Sequence, residues 1–284
     1  MSVTRFAPSP TGYLHLGHAF AAVMAARAGK DFLLRIEDLD QGRAREEFVT
    51  AIFKDLAWLG LTWPQPVMRQ SARMAAYKSA LEALDAEGLI YPCFCTRREI
   101  ADEISGAIEA QHFDVLSVTP TGPNGPNGPL YPGTCRQLSA AEREGRIAAG
   151  AAYALRLDAA AAAKRVGGLN FREKNEIVVV DPLRFGDLVL ARKDVPASYH
   201  LAVVVDDAFQ GVTLVTRGED LLPAVHVQRL LQALLALPEP AYAHHRLILD
   251  SQGRKFSKRD QAVTLKALRQ GGATPGKILT RLGL

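Results

Sequence analysis

The chain has 284 residues, with 34 Lys and Arg against 30 Asp and Glu, a net charge of +4 and a pI near 9.0. That length holds one large or two modest domains with a real core, no apolar run reaches the ~20 residues of a membrane span, and the N-terminus enters a predicted strand without a basic-then-apolar leader, so a cytoplasmic protein is expected. The basic balance favours a polyanionic partner without demanding one, and three cysteines in a reducing compartment argue against a disulfide framework, leaving metal ligation or plain burial.

Residues 3–7 lean towards β structure and run into Pro8-Ser9-Pro10-Thr11-Gly12. The alanine-rich stretch 19–28, free of proline, then predicts a helix. Strand, tight loop and helix N-terminus together hold nucleotide phosphates well, because backbone N–H groups and the helix dipole point at the anion. His15 and His18 share one face of the first turn and both can reach a phosphate. Gly17 between them leaves room for a flat adenine ring against the backbone. Taken alone, His-x-Gly-His equally describes a capped helix with two exposed histidines.

Residues 31–36 predict a buried strand ending in Glu37-Asp38-Leu39-Asp40. Acids at a strand's end suit the carboxyl edge where α/β sheets bind ligands, or else form a solvated turn with Asp40 capping the next helix. Helical spacing over 44–59 and 71–87 completes an alternation that predicts a parallel α/β sheet.

The character changes at Tyr91-Pro-Cys-Phe-Cys95. A helix-like piece follows, then residues 119–133, rich in Pro, Gly and Asn and carrying the repeat Gly-Pro-Asn-Gly-Pro-Asn-Gly-Pro at 122–129, which fits a mobile surface loop and neither a helix nor a central strand. Helices at 138–150 and 158–165 and strands at 153–157, 177–181 and 187–190 are expected next. Residues 91–195 thus read as a β-richer insertion between two halves of one domain, 1–90 and 196–250. In the second half, strands are expected at 201–205, ending in Asp206-Asp207, and at 212–215, ending in Arg217-Gly-Glu-Asp220. A helix at 225–236 and a hairpin strand at 247–250 follow. The terminal part, 251–284, holds the basic loop Lys255-Phe-Ser-Lys-Arg259 and helices at 262–269 and 275–282.

Nucleotidyl transfer needs positive charge aimed at oxygens whose charge shifts in the transition state, which lysines on a movable loop supply. A basic pentamer by itself is as well explained by a solvated face. Paired with His15-x-Gly-His18 at the other end of the chain, it resembles the two signatures of class I aminoacyl-tRNA synthetases. Arg5-Phe-Ala-Pro-Ser-Pro-Thr-Gly12, Arg35-Ile-Glu-Asp38, Tyr199-His200 with Val205-Asp-Asp207, and Arg217-Gly-Glu-Asp220 resemble the glutamyl branch. The resemblance spans nearly the whole chain. It implies an α/β class I synthetase-type Rossmann fold with a parallel sheet, interrupted by a zinc-containing insertion and closed by a short helical C-terminus.

The same resemblance implies site roles. Arg5, Phe6, Ala7, Pro8 and Ser9 would form a glutamate pocket in which Arg5 grips a substrate carboxylate with its guanidinium fork, a task lysine does poorly. Glu37 would take the α-ammonium, and Tyr199 and Arg217 would complete the pocket. His15, Gly17 and His18 would hold ATP, while Lys255 and Lys258 act as catalytic cations, Lys258 at the α-phosphate as pyrophosphate leaves. Each has a structural alternative: Arg5 and Arg217 as surface ion pairs, Tyr199 as a core aromatic.

Two departures narrow the family. Full-length glutamyl synthetases carry a helical anticodon-binding domain after the lysine loop, and here only residues 260–284 follow it. The second is Cys93-x-Cys95 with Tyr131-x-x-x-Cys135. These four could surround one tetrahedral Zn²⁺, with His112 as an alternative to Tyr131, or be unrelated buried thiols. The arrangement resembles the zinc site of glutamyl-queuosine tRNA(Asp) synthetases, which also lack the anticodon domain. That resemblance implies ATP- and Mg²⁺-dependent activation of L-glutamate and its transfer to queuosine in the anticodon of tRNA(Asp). Neither a membrane nor DNA is expected as a partner. The alternatives are a minimal synthetase charging a tRNA 3′ end and a non-catalytic tRNA-binding paralogue.

Overall fold

In the computed structural model, which describes residues 2–110, 124–126, 128–249 and 263–284, the chain opens with strand β1 (Val3–Phe6), helix α1 (Leu16–Ala28) and strand β2 (Asp31–Ile36). β1 and β2 pair in parallel from Val3↔Asp31 to Phe6↔Leu34. α1 is apolar on most of its faces because it is covered on most of them. Leu16, Ala19, Phe20 and Ala22 share one core with Leu34 and Ile36, and the Thr4 hydroxyl bonds to Ala25 O at 2.7 Å. Helix α2 (Glu46–Trp58), the short strand β3 (Met68–Arg69) on the far side of β2, and helix α3 (Met74–Ala86) complete the first half.

The middle of the chain builds a different sheet. Strand β4 (Ile90–Cys93) is followed by helix α4 (Arg97–Ala110) and by a two-residue ladder, β5 (Asn124–Gly125) with β6 (Gly128–Pro129), within the Pro-Gly-Asn repeat. Helix α5 (Ala140–Ala148) starts in a capping box between Ser139 and Glu142. Strand β7 (Ala154–Leu157) then leads to helix α6 (Ala159–Val166) and the hairpin β8 (Asn170–Glu173) and β9 (Glu176–Val179). Strand β10 (Val189–Arg192) closes an antiparallel sheet in the order β10-β7-β4.

Helix α7 (Tyr199–Phe209) follows, then strand β11 (Leu214–Gly218), helix α8 (Ala224–Leu234) and strand β12 (Ala241–His245). β11 and β12 are parallel, and Thr213 N–H donates to Val3 O at 3.0 Å, which lays the entry to β11 beside β1. β8 attaches in parallel to β12 at Tyr242↔Glu173, so residues 91–195 contribute to both sheets. Helices α9 (Leu265–Gln270) and α10 (Pro275–Leu282) return to the first core through Leu265, Ile278 and Leu282. Among the described residues no helix is long and apolar enough to cross a membrane.

Two expected strands differ. Residues 201–205 belong to helix α7, whose first turn is capped by Ser198 Oγ accepting from Leu201 N–H at 3.3 Å. Leu201, Ala202, Val203 and Val204 are all buried in the core shared with α3 and α8. A short apolar run lacks periodicity to separate a buried strand from a helix buried on most sides, and here packing overrides the β preference of valine. The strand expected at 247–250 is replaced by β12, where buried Tyr242 and His244 alternate with less buried neighbours; residues 250–262 lie outside the described residues.

Candidate active site

Every predicted site residue that is described, apart from the cysteine cluster, lies at the carboxyl ends of the parallel strands or at a helix start facing them. Ser9 follows β1, Glu37 follows β2, Arg217 lies at the end of β11 and Tyr199 opens α7. Ser9, Glu37, Gln70, Ser198 and Tyr199 line a cavity of about 490 Å³, with Val189 and Arg192 on its opposite wall. This is where α/β sheets bind ligands, because the strand ends and helix starts leave side chains converging on open space.

Behind that cavity runs a buried chain of charges. Arg5 Nε donates to Asp207 Oδ1 at 2.9 Å, and Arg35 Nη1 donates to the same oxygen at 2.7 Å. Arg35 Nη2 donates to Glu37 Oε1 at 3.1 Å, and Arg5 Nη1 reaches Thr216 O at 3.5 Å. Two guanidiniums meet two carboxylates, so the buried charge balances locally, the condition for keeping ions out of water. Burial works to raise the Asp207 pKa, but Arg5 and Arg35 overcome it and hold the carboxyl below its usual range. At Glu37 burial prevails over Arg35 and Arg5, and the carboxyl is pushed up. Arg5 therefore forms an interior ion pair rather than a surface one, with a relative exposure of 5%. Phe6 and Pro8 are buried and Ala7 is half-buried; of residues 5–9 only Ser9 lines the cavity. Pro8 O accepts from Glu37 N–H at 3.1 Å, tying this loop to the acid.

Arg217 is also buried, and the protein uses all three of its nitrogens. Nη1 donates to Tyr199 Oη at 3.1 Å, Nε to His244 Nε2 at 3.1 Å, and Nη2 to Gln228 Oε1 at 2.9 Å. His244 Nδ1 meets Glu173 Oε2 at 2.6 Å, so with Nε2 accepting from Arg217 its proton sits on Nδ1. Burial, opposed by Glu173, pushes the pKa of this imidazole down. Tyr199 is thus a cavity wall fixed by Arg217, while its neighbour His200 packs against Phe185, its pKa pushed down to about 4 by burial and then by Arg217. The other half of the Asp206-Asp207 pair anchors α7, accepting from Tyr77 Oη at 2.6 Å, Gln70 Nε2 at 3.0 Å and Arg73 Nε at 3.2 Å.

The two histidines open α1 as a cap made of imidazoles. His15 Nδ1 accepts from Gly17 N–H at 3.1 Å, and His18 Nδ1 accepts from His15 N–H at 3.2 Å, with ring centroids 3.8 Å apart. Accepting through Nδ1 puts the proton of each neutral ring on Nε2, a donor directed away from the helix start. A Cβ at position 17 would lie 3.1 Å from His15 Cε1, so glycine there makes room for the imidazole itself. His15, Gly17 and His18 line a second cavity of about 200 Å³ with Gly218, Asp220 and His245. A Cβ at Gly218 would lie 2.5 Å from Asp220 Oδ1, so a side chain there would displace the Asp220 carboxylate. The linings of the two cavities are linked through Arg217, bonded to Tyr199 of the first and adjacent in the chain to Gly218 of the second.

Lys255 and Lys258 lie outside the described residues. The described residues on either side of them both reach the histidine cavity: Ile248 lines it, and Thr264 forms a bridge with His15, with Leu265 N–H donating to Leu14 O at 2.8 Å.

Cys93, Cys95 and Cys135 come together, their sulfurs all within 4.8 Å of one another. Tyr131 Oη lies 3.4 Å from both Cys93 Sγ and Cys95 Sγ, and Cys95 and Cys135 sulfurs are 3.3 Å apart. Three sulfurs and one oxygen around a common point are a donor set and size that fit a tetrahedral divalent ion. His112 lies outside the described residues.

The sequence marks Arg35 and Asp207 only as parts of motifs, with no role for either, and it leaves Glu173 and His244 unmarked as partners of the site. The signal present was the charged pairs ending apolar runs, Arg35 to Asp38 and Asp206-Asp207.

The family described as tRNA synthetases class I (E and Q), catalytic domain, matches residues 1–284. The chain is 47% identical over 289 residues to the Glutamyl-Q tRNA(Asp) synthetase of Rhodobacter capsulatus, covering 99% of this chain and 100% of that protein. It is 43% identical to the protein of the same name from Nocardia farcinica, covering 98% and 82%. Among solved structures, a glutamate tRNA ligase from Elizabethkingia meningosepticum in complex with its amino acid superposes with a TM-score of 0.70 at 30% identity, over 91% of this chain and 52% of the ligase. With its parallel sheet and its cavities at the strand ends, the chain belongs to the class I aminoacyl-tRNA synthetases of the glutamate and glutamine type, a family of ligases.

Proposed function

We propose that the chain activates L-glutamate with ATP and transfers the glutamyl group to queuosine in the anticodon of tRNA(Asp). The observation that carries this reading is the end-to-end match with the Rhodobacter protein, 99% of one chain on 100% of the other. In the first step a glutamate carboxylate oxygen attacks the α-phosphorus of ATP and pyrophosphate leaves; Mg²⁺ would supply charge neutralisation for the departing pyrophosphate. In the second a hydroxyl of the queuosine cyclopentenediol attacks the acyl carbon, an ester forms and AMP leaves.

In this scheme Arg5, on the floor behind the larger cavity, binds a substrate carboxylate, and Glu37 takes the α-ammonium. Tyr199 closes the pocket with Arg217 holding it, so Arg217 works as a positioning residue because its own nitrogens are spent on protein partners. His15 and His18 donate from Nε2 to ATP phosphates beside Gly17. Lys258, with Lys255, neutralises the α-phosphate as pyrophosphate departs. A Zn²⁺ ion would be held by Cys93, Cys95, Tyr131 and Cys135, where it would tie β4 to the segment around Tyr131 and leave the chemistry to the distant cavities.

Glutamate-dependent ATP–pyrophosphate exchange without tRNA tests the first step. Transfer of labelled glutamate to tRNA(Asp) with queuosine, and its absence on the same tRNA carrying guanosine, tests the second. Likeness to the glutamate tRNA ligase favours a second reading, charging of a tRNA 3′ end, which label on the queuosine-free tRNA would select.

A further inference from the structure

β10 and the turn after it form a wall with a cavity on each side. One is the 490 Å³ substrate cavity, and the other is an open groove of about 400 Å³ that shares Ala191 and Arg192 with it. The groove is lined by Ala151, Tyr153, Leu155, Lys193 and Pro196 besides those two. Arg192 N–H donates to Val195 O at 2.8 Å and Val195 N–H returns to Arg192 O at 3.2 Å, which holds exposed Lys193 within a tight turn. Tyr153 is 38% exposed, a large ring lining the groove beside the small side chains of Ala151 and Ala152.

We propose that this groove seats an unpaired base of the RNA that accepts the glutamyl group, stacked on Tyr153, with Lys193 and Arg192 on the adjoining phosphate. The proposal rests on the reading that an RNA is the acceptor. Loops of RNA are recognised by bases splayed onto aromatic rings and by cations on the backbone. An apolar floor with an exposed phenol meets the first need, and the second falls to exposed Lys193, with Arg192 beside it 3.8 Å from Asp194 and able to exchange that exposed acid for a phosphate. The shared wall sets this base next to the nucleotide whose hydroxyl must enter the substrate cavity, and the turn Arg192-Lys193-Asp194 leaves one net positive charge at the rim, the sign RNA requires.

The cysteine cluster supports this groove from behind. Phe94, between Cys93 and Cys95, packs on Tyr153 with ring centroids 5.8 Å apart, and its N–H donates to Cys135 Sγ at 3.3 Å. Phe94 is a positioning residue for Tyr153, which connects the cluster to RNA binding.

The test measures binding of queuosine-containing tRNA(Asp) to the full chain by fluorescence anisotropy, with ATP–pyrophosphate exchange in parallel. Tyr153→Ala weakens binding about tenfold and leaves exchange unchanged, while Tyr153→Phe binds as the unsubstituted chain does, because stacking needs the ring and not the hydroxyl. Lys193→Ala lowers the slope of log affinity against log salt by about one. Phe94→Ala weakens binding as Tyr153→Ala does, and the double variant is no weaker than Tyr153→Ala alone. Unchanged affinity in Tyr153→Ala, or equal damage in Tyr153→Phe, overturns the groove. A chain that binds this tRNA through Tyr153 yet transfers no glutamate to queuosine supports the groove and overturns the functional reading, and no binding of tRNA by the unsubstituted chain overturns both.

Discussion

The Arg5–Asp207–Arg35–Glu37 chain and the Cys93–Cys95–Tyr131–Cys135 cluster both take polar groups out of water, and they settle the cost in opposite ways. In the first, the protein brings its own counter-charges: two guanidiniums share one carboxylate oxygen and the second carboxylate closes the row. In the second, every described donor is a thiol or a phenol, with the Arg156 guanidinium lying over the Tyr131 ring, 3.9 Å from its centroid. Burial pushes the Cys95 thiol up to about 12. A divalent cation is the partner that lets such a set ionise together. The charge chain is thus complete within the polypeptide. The cluster has the donors to take such an ion from outside, and under the proposed reading that ion would hold segments together.

The sharpest way to break this contrast is Asp207→Asn. Removing the carboxylate on which two buried guanidiniums converge takes the carboxylate partner from Arg5 and leaves Arg35 with Glu37 alone, and stability falls by about 3–5 kcal/mol, read from denaturant midpoints. The pH dependence has a definite sign. Because the folded pKa of Asp207 is depressed, its contribution is fully present above the unfolded value and is lost as pH falls through the folded one. Asp207→Asn accordingly flattens part of the acid limb of stability; an unchanged limb would remove the compensation argument.

Arg5→Lys keeps the charge and loses the fork. Glutamate kcat/KM drops about a hundredfold while the KM for ATP holds, because the ammonium cannot serve Asp207 and a substrate carboxylate at once. Equal loss on both substrates would move Arg5 out of the glutamate pocket. On the cluster side, elemental analysis of purified protein finds about one zinc per chain, Cys95→Ser lowers that occupancy and the melting temperature, and exchange in the remaining folded protein stays within about threefold of normal. Loss of exchange in step with zinc would tie the cluster to the chemistry. The smallest effect concerns Glu37. Its carboxyl is pushed up by burial against Arg35 and Arg5, so the KM for glutamate starts to climb on acidification at a higher pH than an ordinary carboxylate would dictate. Glu37→Gln raises the KM throughout and abolishes that climb.

Much of the first half was legible because local signals and the tertiary answer agree. Alternating strand and helix over residues 3–87, the histidine pair at the start of α1 and the Cys-x-Cys with its distant partners all lie where residue chemistry predicts. The errors lie where local signals are silent. Residues 201–205 carry valines that favour strands, yet their burial between α3 and α8 makes them helix. β12 carries two histidines and reads as polar, yet His244 is inside because Glu173 and Arg217 meet it there. β8 joins the main sheet by pairing with β12, a contact between segments about 70 residues apart in the chain.

The sequence by itself determined the chemistry on offer: the imidazoles at a helix start, the acids after β2, the thiols and the lysines, since spacing along a chain dictates which side chains share a turn or a strand end. Only the tertiary structure decided who neutralises whom. Arg5 and Asp207 are 202 residues apart, and they meet across a core in which β1 lies beside β11 and α7 packs on α3 and α8. A buried charge takes its partner from across the core, and no local pattern records that choice.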